Sequence, residues 1–225
     1  MCLFIAIEGI DGSGKGTQAA RLHAYLMSKG HKSALLSFPR YQQTMFGQKV
    51  GDFLNGRFGT LDSVHPLLVS LLFAGDRFES RELIEAAMEK YDVVICDRYV
   101  ASNVAHQGAK ASGAERKELI DWIQHLEYSI YKLPRADLTL FLDVDVEHAQ
   151  KLIAAKSRRD YTDKVADLQE ADGNYLRRVR EVYLELACGP QWQSVHCVQG
   201  SHVRLIDEIA TEVATIVDAS LQGSP

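Results

Sequence analysis

The chain has 225 residues, of which 46% are hydrophobic and 24% are charged. This composition is typical of a folded globular protein and excludes collagen-like, mucin-like and broadly disordered classes. The 25 basic and 30 acidic side chains give a net charge of −5, which argues against a protein that coats nucleic acid, because such a protein needs a basic surface. A small phosphorylated substrate remains compatible with this charge, since a few local arginines can bind it.

The cysteines and the apolar runs indicate a reduced, cytoplasmic setting. Cys2, Cys96, Cys188 and Cys197 form no Cys-x-x-Cys pair, so we expect neither a disulfide framework nor a zinc site. The apolar N-terminal segment has no preceding basic residues and is interrupted by Glu8, which is not the pattern of a signal peptide. No run of about 18 apolar residues is present, so we expect no membrane span.

Short apolar runs alternate with helical patterns along the chain. The runs predict strands at residues 3–7, 33–37, 93–96, 138–142 and 195–198. Apolar residues at helical spacing predict helices at 17–29, 115–128, 176–186 and 206–216. The alternation predicts one α/β domain over residues 1–225, with a five-stranded parallel sheet between helices. Ligands of such sheets bind at the carboxyl ends of the strands, so the residues that follow each strand carry the functional argument.

The first predicted strand ends in a glycine-rich loop. Residues 9–17 read Gly9-Ile10-Asp11-Gly12-Ser13-Gly14-Lys15-Gly16-Thr17, and Gly9-x4-Gly14-Lys15 between a strand and a helix is the spacing of a P-loop. Backbone amides and the helix N-terminus would bind the phosphates of ATP, and Lys15 would supply a full positive charge. Gly16 stands where most P-loops carry a Ser or Thr ligand for Mg²⁺, and Thr17 follows it, so a direct metal ligand from this loop is not expected.

The third predicted strand runs into Asp97-Arg98-Tyr99. An acid at a strand end beside a P-loop is the expected place for a residue that holds Mg²⁺ through water. The neighbouring Arg98 could bind a phosphate with its planar guanidinium. Taken alone, an ordinary surface ion pair between Asp97 and Arg98 is an equally good reading.

Further motifs follow the other strands, and together they carry a resemblance. Phe38-Pro39-Arg40 follows the second strand, residues 72–79 read Leu-Phe-Ala-Gly-Asp-Arg-Phe-Glu, and residues 102–109 continue the Asp97 motif. In this order, from about residue 5 to residue 186, the motifs resemble those of thymidylate kinases, which are P-loop nucleoside monophosphate kinases. The resemblance implies a P-loop NTPase fold with a short lid, and transfer of phosphate from ATP to dTMP with Mg²⁺, giving ADP and dTDP.

The resemblance assigns roles around the acceptor phosphate and the base. It implies that Arg40, in the motif with Phe38, holds the phosphate of dTMP together with Arg98. It also implies that Phe73 stacks on thymine and that Arg77 hydrogen-bonds the base. Phe73 and Arg77 are four residues apart, on one face of a helix. From the pattern alone, core packing is the simpler reading of Phe73, since leucines surround it.

The sugar and the rest of the base follow in the same way. The resemblance implies that Asp11 approaches the 3′-hydroxyl, and that Ser102 and Gln107 contact the base. His106 stands where many relatives have Tyr or Phe, near the sugar 2′ position. A histidine still fills that space, although His106 could also be a loop residue at a helix end.

A basic segment at residues 156–168 is the candidate lid. Some thymidylate kinases neutralise the moving phosphoryl group with an arginine at the position of Gly12, and others use an arginine of the lid. Gly12 has no side chain, so the resemblance implies that Arg158 or Arg159 has this role. Tyr161 would lie near the substrate in the closed state. A solvated basic stretch is the plainer alternative.

Two other functions remain open from the sequence. The chain could be a kinase for another nucleoside monophosphate or a deoxynucleoside, or a catalytically silent nucleotide-binding module. The resemblance also implies a homodimer, for which the apolar residues 67–73 are suitable, with ATP and dTMP as its small-molecule partners.

Overall fold

A parallel sheet forms the centre of the molecule. The computed structural model describes residues 2–60, 63–154, 169 and 172–222. The strands of the sheet are β1 (Leu3–Glu8), β2 (Ser33–Ser37), β3 (Val93–Asp97), β4 (Leu138–Asp143) and β5 (Trp192–His196). Their order is β2-β3-β1-β4-β5, and every neighbouring pair is parallel. The predicted five-stranded parallel sheet is therefore confirmed.

Helices connect the strands and cover both faces of the sheet. They are α1 (Lys15–Ser28), α2 (Met45–Leu54), α3 (Pro66–Glu79), α4 (Arg81–Lys90), α5 (Val100–Gly108), α6 (Gly113–Gln124), α7 (Val146–Ala154), α8 (Gly173–Leu186) and α9 (Ile206–Gln222). A π-helical segment, His125–Ile130, continues α6, and β6 (Val198–Gln199) pairs antiparallel with β7 (His202–Val203). Within the described ranges, no helix is both long and apolar enough to cross a membrane.

The alternating side chains of β1 divide the core into two layers. Ile5 and Ile7 pack in a cluster with residues of α1, α8 and α9, whereas Phe4 and Ala6 pack with residues of α4, α5 and α6. Because both faces of β1 are buried, this central strand has no solvated side, and polar groups collect at the carboxyl edge of the sheet.

Several element boundaries differ from the sequence prediction, and two of these differences have a clear physical cause. β5 lies at Trp192–His196 rather than at residues 195–198, because it is an edge strand whose Gln193 and Ser194 side chains are exposed, so its apolar run is short. α1 begins at Lys15 rather than at residue 17, since its start is set by the backbone of Gly14 and not by its apolar stripe.

Candidate active site at the carboxyl edge of the sheet

The loop between β1 and α1 turns tightly around Lys15. Gly14 precedes the helix with a φ of 86°, a conformation that favours glycine. Lys15 Nζ donates to Gly9 O at 2.9 Å and to Ile10 O at 2.7 Å, and lies 3.4 Å from Ser13 Oγ. The lysine therefore closes the loop on itself, at the place where phosphate oxygens would be bound in a P-loop.

Burial changes the ionisation of this lysine. Lys15 is 6% exposed, and burial, together with the positive charge of Arg98, lowers its pKa to about 7 against the opposing effects of Asp11, Asp97 and Glu8. A bound phosphate would favour the charged form, because it supplies a nearby anion. The site is thus arranged to be completed by an anionic ligand.

Asp97 lies against the first turn of α1. A Cβ at Gly16 would stand 3.0 Å from Asp97 Oδ2, so a side chain at position 16 would crowd this carboxylate. Thr17, the hydroxyl next to it, is exposed. No group of three or more His, Cys, Asp or Glu side chains that could hold a metal occurs among the described residues. One carboxylate beside a phosphate loop nevertheless suits Mg²⁺, which is usually held by one or two carboxylates, phosphate oxygens and water.

The turn after β3 brings Arg98 to the phosphate loop. Arg98 has a φ of 67°, unusual for a residue with a side chain, and its backbone N–H donates to Ile7 O at 3.0 Å. Its guanidinium forms an ion pair with Asp11 of the loop and lies 3.4 Å from Ser102 Oγ. Asp11 and Lys15 of the phosphate loop are therefore brought together with Asp97 and Arg98 of the motif after β3.

Glu8 supports this turn and was not identified from the sequence. Its carboxylate is fully buried and accepts hydrogen bonds from Tyr99 N at 2.8 Å, Ser102 N at 3.1 Å, Ser102 Oγ at 2.6 Å and Tyr183 Oη at 2.8 Å. Burial raises the pKa of Glu8, although these donors oppose the shift. Asp97 was identified as an acid at the end of a strand. Glu8 is likewise an acid at the end of β1, so the same signal could have found it. Ser102, predicted as a base contact, is engaged by this carboxylate.

The loop after β2 is held by α3. Phe38 is buried, and its backbone N–H donates to Asp97 O at 3.0 Å, which joins this loop to the end of β3. The N–H of Arg40 donates to Asp76 Oδ2 at 3.0 Å, and its guanidinium donates to Ser80 Oγ at 3.1 Å. Burial raises the pKa of Asp76. Asp76 and Ser80 are therefore supporting residues that the motif reading of Arg40 did not include.

The two residues predicted for base binding have different surroundings. Phe73 is half-buried and packs against the main core cluster, which agrees with the core-packing reading, whereas its stacking on a base stays a prediction. Arg77 is 1% exposed and forms a bidentate ion pair with Glu127 of the π-helical segment, at 2.6 and 2.7 Å. Nothing in the local sequence pairs residues so far apart in the chain.

One face of α5 carries buried polar atoms that lack partners in the described part of the chain. These atoms are Asn103 Oδ1, His106 Nε2, Gln107 Oε1 and Gln107 Nε2. Burial lowers the pKa of His106 to about 3, outweighing the attraction of Asp11, so the ring is neutral. Buried polar groups normally have hydrogen-bond partners, and a bound polar ligand would supply them. Asn103, which the motif analysis passed over, is a member of this group.

The predicted lid falls outside the described residues. Arg158, Arg159 and Tyr161, within residues 156–168, are therefore not located by the structure. Gly12, at the alternative position for an arginine, is enclosed: a Cβ there would lie 2.4 Å from Ala149 O of α7. A side chain at position 12 would therefore require α7 to move.

Comparison with known proteins agrees with this geometry. The family model described as thymidylate kinase matches residues 7–206. A thymidylate kinase of Mycobacterium tuberculosis (strain ATCC 25618 / H37Rv) is 35% identical over 194 residues, covering 84% of this chain and 89% of the relative. A probable thymidylate kinase of Thermococcus gammatolerans is 36% identical over 192 residues, covering 83% and 84%.

A solved structure has the same architecture. The thymidylate kinase of Candida albicans superposes with a TM-score of 0.74 at 27% sequence identity, covering 97% of this chain and 92% of the other. The likeness includes the parallel sheet with helices on both faces, so the P-loop NTPase fold expected from residues 9–17 is confirmed.

Proposed function

The chain belongs to the thymidylate kinase family and is a kinase that converts dTMP to dTDP, and we propose that ATP with Mg²⁺ is the donor and that the residues at the carboxyl edge of the sheet carry the transfer. The observation that supports this most directly is the Arg98–Asp11 ion pair. It joins the phosphate loop after β1 to the turn after β3, which leads into α5, and so supports a donor site next to an acceptor site.

The donor nucleotide binds the loop of residues 9–17. Its phosphates accept hydrogen bonds from the loop amides at the start of α1, and Lys15 exchanges the carbonyl oxygens of Gly9 and Ile10 for phosphate oxygens. Asp97 would hold Mg²⁺ through water, and the bound ion would offset the charge of the phosphates. The remaining work is done by side chains of this chain.

The acceptor phosphate of dTMP is bound by Arg40 and Arg98. Arg98 exchanges its pairing with Asp11 for a phosphate, and Asp11 becomes available for the 3′-hydroxyl of the sugar. The attacking phosphate oxygen needs no general base, because the second pKa of a phosphate monoester is about 6. Catalysis therefore depends on holding two anionic groups in line, which is the task of these arginines and Lys15.

The nucleoside lies along α5 and α3. Phe73 stacks on the base and Arg77 hydrogen-bonds it, while Gln107 and Ser102 contact its polar edge. His106, neutral and 4% exposed, fills the space near the sugar 2′ position. The buried atoms of His106 and Gln107 that lack partners within the described ranges support this assignment.

The lid supplies the last positive charge. Phosphoryl transfer needs a donor at the moving group, and the enclosure of Gly12 by Ala149 supports a source outside the P-loop. Arg158 or Arg159 has this role, with Tyr161 beside the substrate when residues 156–168 close over it. Closure also excludes water and so limits wasteful hydrolysis of ATP.

The test is a panel of acceptors in an assay that couples ADP release to a colour change. We expect dTMP to be preferred over dUMP, dCMP, UMP and AMP, with little activity on thymidine, because Arg40 and Arg98 require an acceptor that already bears a phosphate. Equal rates on all monophosphates would overturn the substrate assignment, and faster phosphorylation of thymidine would overturn the role of the two arginines. ATP binding without dTMP-dependent ADP release would instead identify a silent module.

The assembly and setting of the enzyme complete the proposal. Residues 1–225 act as one domain that forms a homodimer in the cytoplasm. Leu68 and Phe78 of α3 are 55% and 46% exposed, which is suitable for a helix-mediated contact. All four cysteines are free, as in a reducing compartment. Light scattering would report the dimer, and Leu68→Glu should shift it to monomer.

A further inference from the structure

Glu127 is a buried carboxylate with three donors from two helices. It is 0% exposed and lies in the π-helical segment His125–Ile130, a rare conformation that often marks functional sites. Its Oε2 accepts from Arg77 Nε, and its Oε1 accepts from both Arg77 Nη2, at 2.7 Å, and Asn103 Nδ2, at 2.8 Å. One oxygen therefore joins the guanidinium on α3 to the amide on α5.

This contact fixes the orientation of the Asn103 amide. Asn103 Nδ2 donates to Glu127 Oε1 and to Ser70 O, at 3.0 Å, and both of these partners can only accept. Turning the amide over would place its oxygen against two acceptors, so the amide is held in one orientation. Asn103 Oδ1 is the remaining polar atom of this side chain, and it is buried without a partner within the described ranges.

The same carboxylate fixes the charge and plane of Arg77. The bidentate contact uses Nε and Nη2, which sets the plane of the guanidinium and leaves the Nη1 hydrogens outside the pair. Although burial works against the charged form, Glu127 raises the pKa of Arg77 above its ordinary value. Arg77 is thus a permanent donor, and Asn103 Oδ1, whose amide is held by the same carboxylate, is an obligatory acceptor.

We propose that Glu127 is a positioning residue for base selection, which makes Arg77 present a donor and Asn103 an acceptor to the substrate base. A pyrimidine with a carbonyl at C4 and a hydrogen on N3, such as thymine or uracil, has the matching acceptor and donor. Cytosine has an amino group at C4 and no hydrogen on N3, so both contacts would be mismatched. This proposal rests on the proposed function, since it concerns the base of the acceptor nucleotide.

The experiment compares dTMP with dCMP, as substrates and as ligands in calorimetry. In Glu127→Gln one carboxylate oxygen becomes an NH₂ group, which faces the donors of Arg77 and Asn103. The Asn103 amide is then no longer held in one orientation. We expect the preference for dTMP over dCMP in kcat/KM to fall about tenfold or more, through KM rather than kcat, with KM for ATP unchanged. Glu127→Asp keeps the negative charge that neutralises Arg77 and should therefore fold even if Glu127→Gln does not. We expect it to lose part of the preference for dTMP over dCMP.

Asp143→Asn is the matched control. Asp143 binds Arg180 bidentately, at 2.7 and 3.0 Å, so this change breaks a similar ion pair away from the base. It should lower the unfolding temperature and leave the ratio of dTMP to dCMP unchanged. If both Glu127 variants lower the unfolding temperature but keep that ratio, Glu127 is only structural and the proposal is overturned, while the function stands. A parent enzyme without activity on dTMP would instead overturn the function, and the calorimetric ratio would still decide the role of Glu127.

Discussion

His106 Nε2 lies 3.9 Å from Asp11 Oδ2, within ion-pair distance, yet the imidazole is held neutral. The ring is 4% exposed, and the free energy lost by burying its charge exceeds the attraction of the carboxylate. Tyr175 Oη donates to His106 O at 2.9 Å, so the contact between that hydroxyl and Nδ1, at 3.1 Å, requires the hydrogen on Nδ1. Nε2 then carries a lone pair and faces the site as an acceptor.

The buried His106 should make the protein sensitive to acid. Its pKa is lowered from 6.5 to about 3, so the unfolded state binds one more proton than the folded state between these values, and stability falls as pH decreases through this window. The loss is about 1.4 kcal/mol per pH unit below about pH 6. Urea unfolding of the parent and of His106→Phe at several pH values measures it. The variant should have the smaller slope, and His202→Asn, at an exposed site, should match the parent. Equal slopes for all three proteins would contradict the prediction.

Lys15 should take up a proton when nucleotide binds. Burial and Arg98 lower its pKa to about 7, so at about pH 8 it is largely neutral, and phosphate restores the charge. Calorimetry of a non-hydrolysable ATP analogue in buffers with different ionisation enthalpies counts the protons. We expect uptake at about pH 8 that disappears well below the lowered pKa, where Lys15 is already charged. Lys15→Met should abolish the uptake, and uptake that persists in this variant would assign the proton to another group.

Glu8 should be replaceable by glutamine but not by alanine. Glu8→Ala leaves the amides of Tyr99 and Ser102 without their acceptor and removes one partner from the hydroxyls of Ser102 and Tyr183, which remain in contact with each other. We expect a loss of roughly 3 kcal/mol in the free energy of unfolding, with a higher KM for dTMP because the Arg98 turn loosens. Glu8→Gln keeps an acceptor for the amides, and the hydroxyls can rotate to accept from its NH₂ group. Its loss should be about 1 kcal/mol. Denaturant unfolding compares the two variants, and equal losses would show that the hydrogen bonds are not what matters.

The lid arginines should affect turnover more than binding. Arg158→Ala and Arg159→Ala remove charge needed at the moving phosphoryl group, which is greatest in the transition state. We expect the double variant to lose about a hundredfold or more in kcat with a small change in the calorimetric Kd for dTMP. Lys156→Ala, in the same segment, is the control and should lose much less. A double variant with near-normal turnover would move the role to another residue.

The residues identified from sequence share one property: each is part of a local motif. Asp97 and Arg98 come directly after a predicted strand and Lys15 ends the loop that follows another, and the carboxyl ends of parallel strands meet at one edge. Their approach to one another could therefore be predicted without coordinates. The predicted position of the edge strand β5 was wrong by three residues at its start and two at its end, because its half-exposed sequence has no continuous apolar run.

The sequence alone determined the fold class, the phosphate loop and the motif residues, since these depend on spacing along the chain. Only the tertiary structure decided which groups hold them: Glu8 for the Arg98 turn, Asp76 for Arg40, and Glu127 for Arg77 and Asn103. Arg77 and Glu127 are 50 residues apart, and their contact depends on how α3, α5 and the π-helical segment pack. A buried charge must find a partner, but the sequence does not say which residue packing will bring to it.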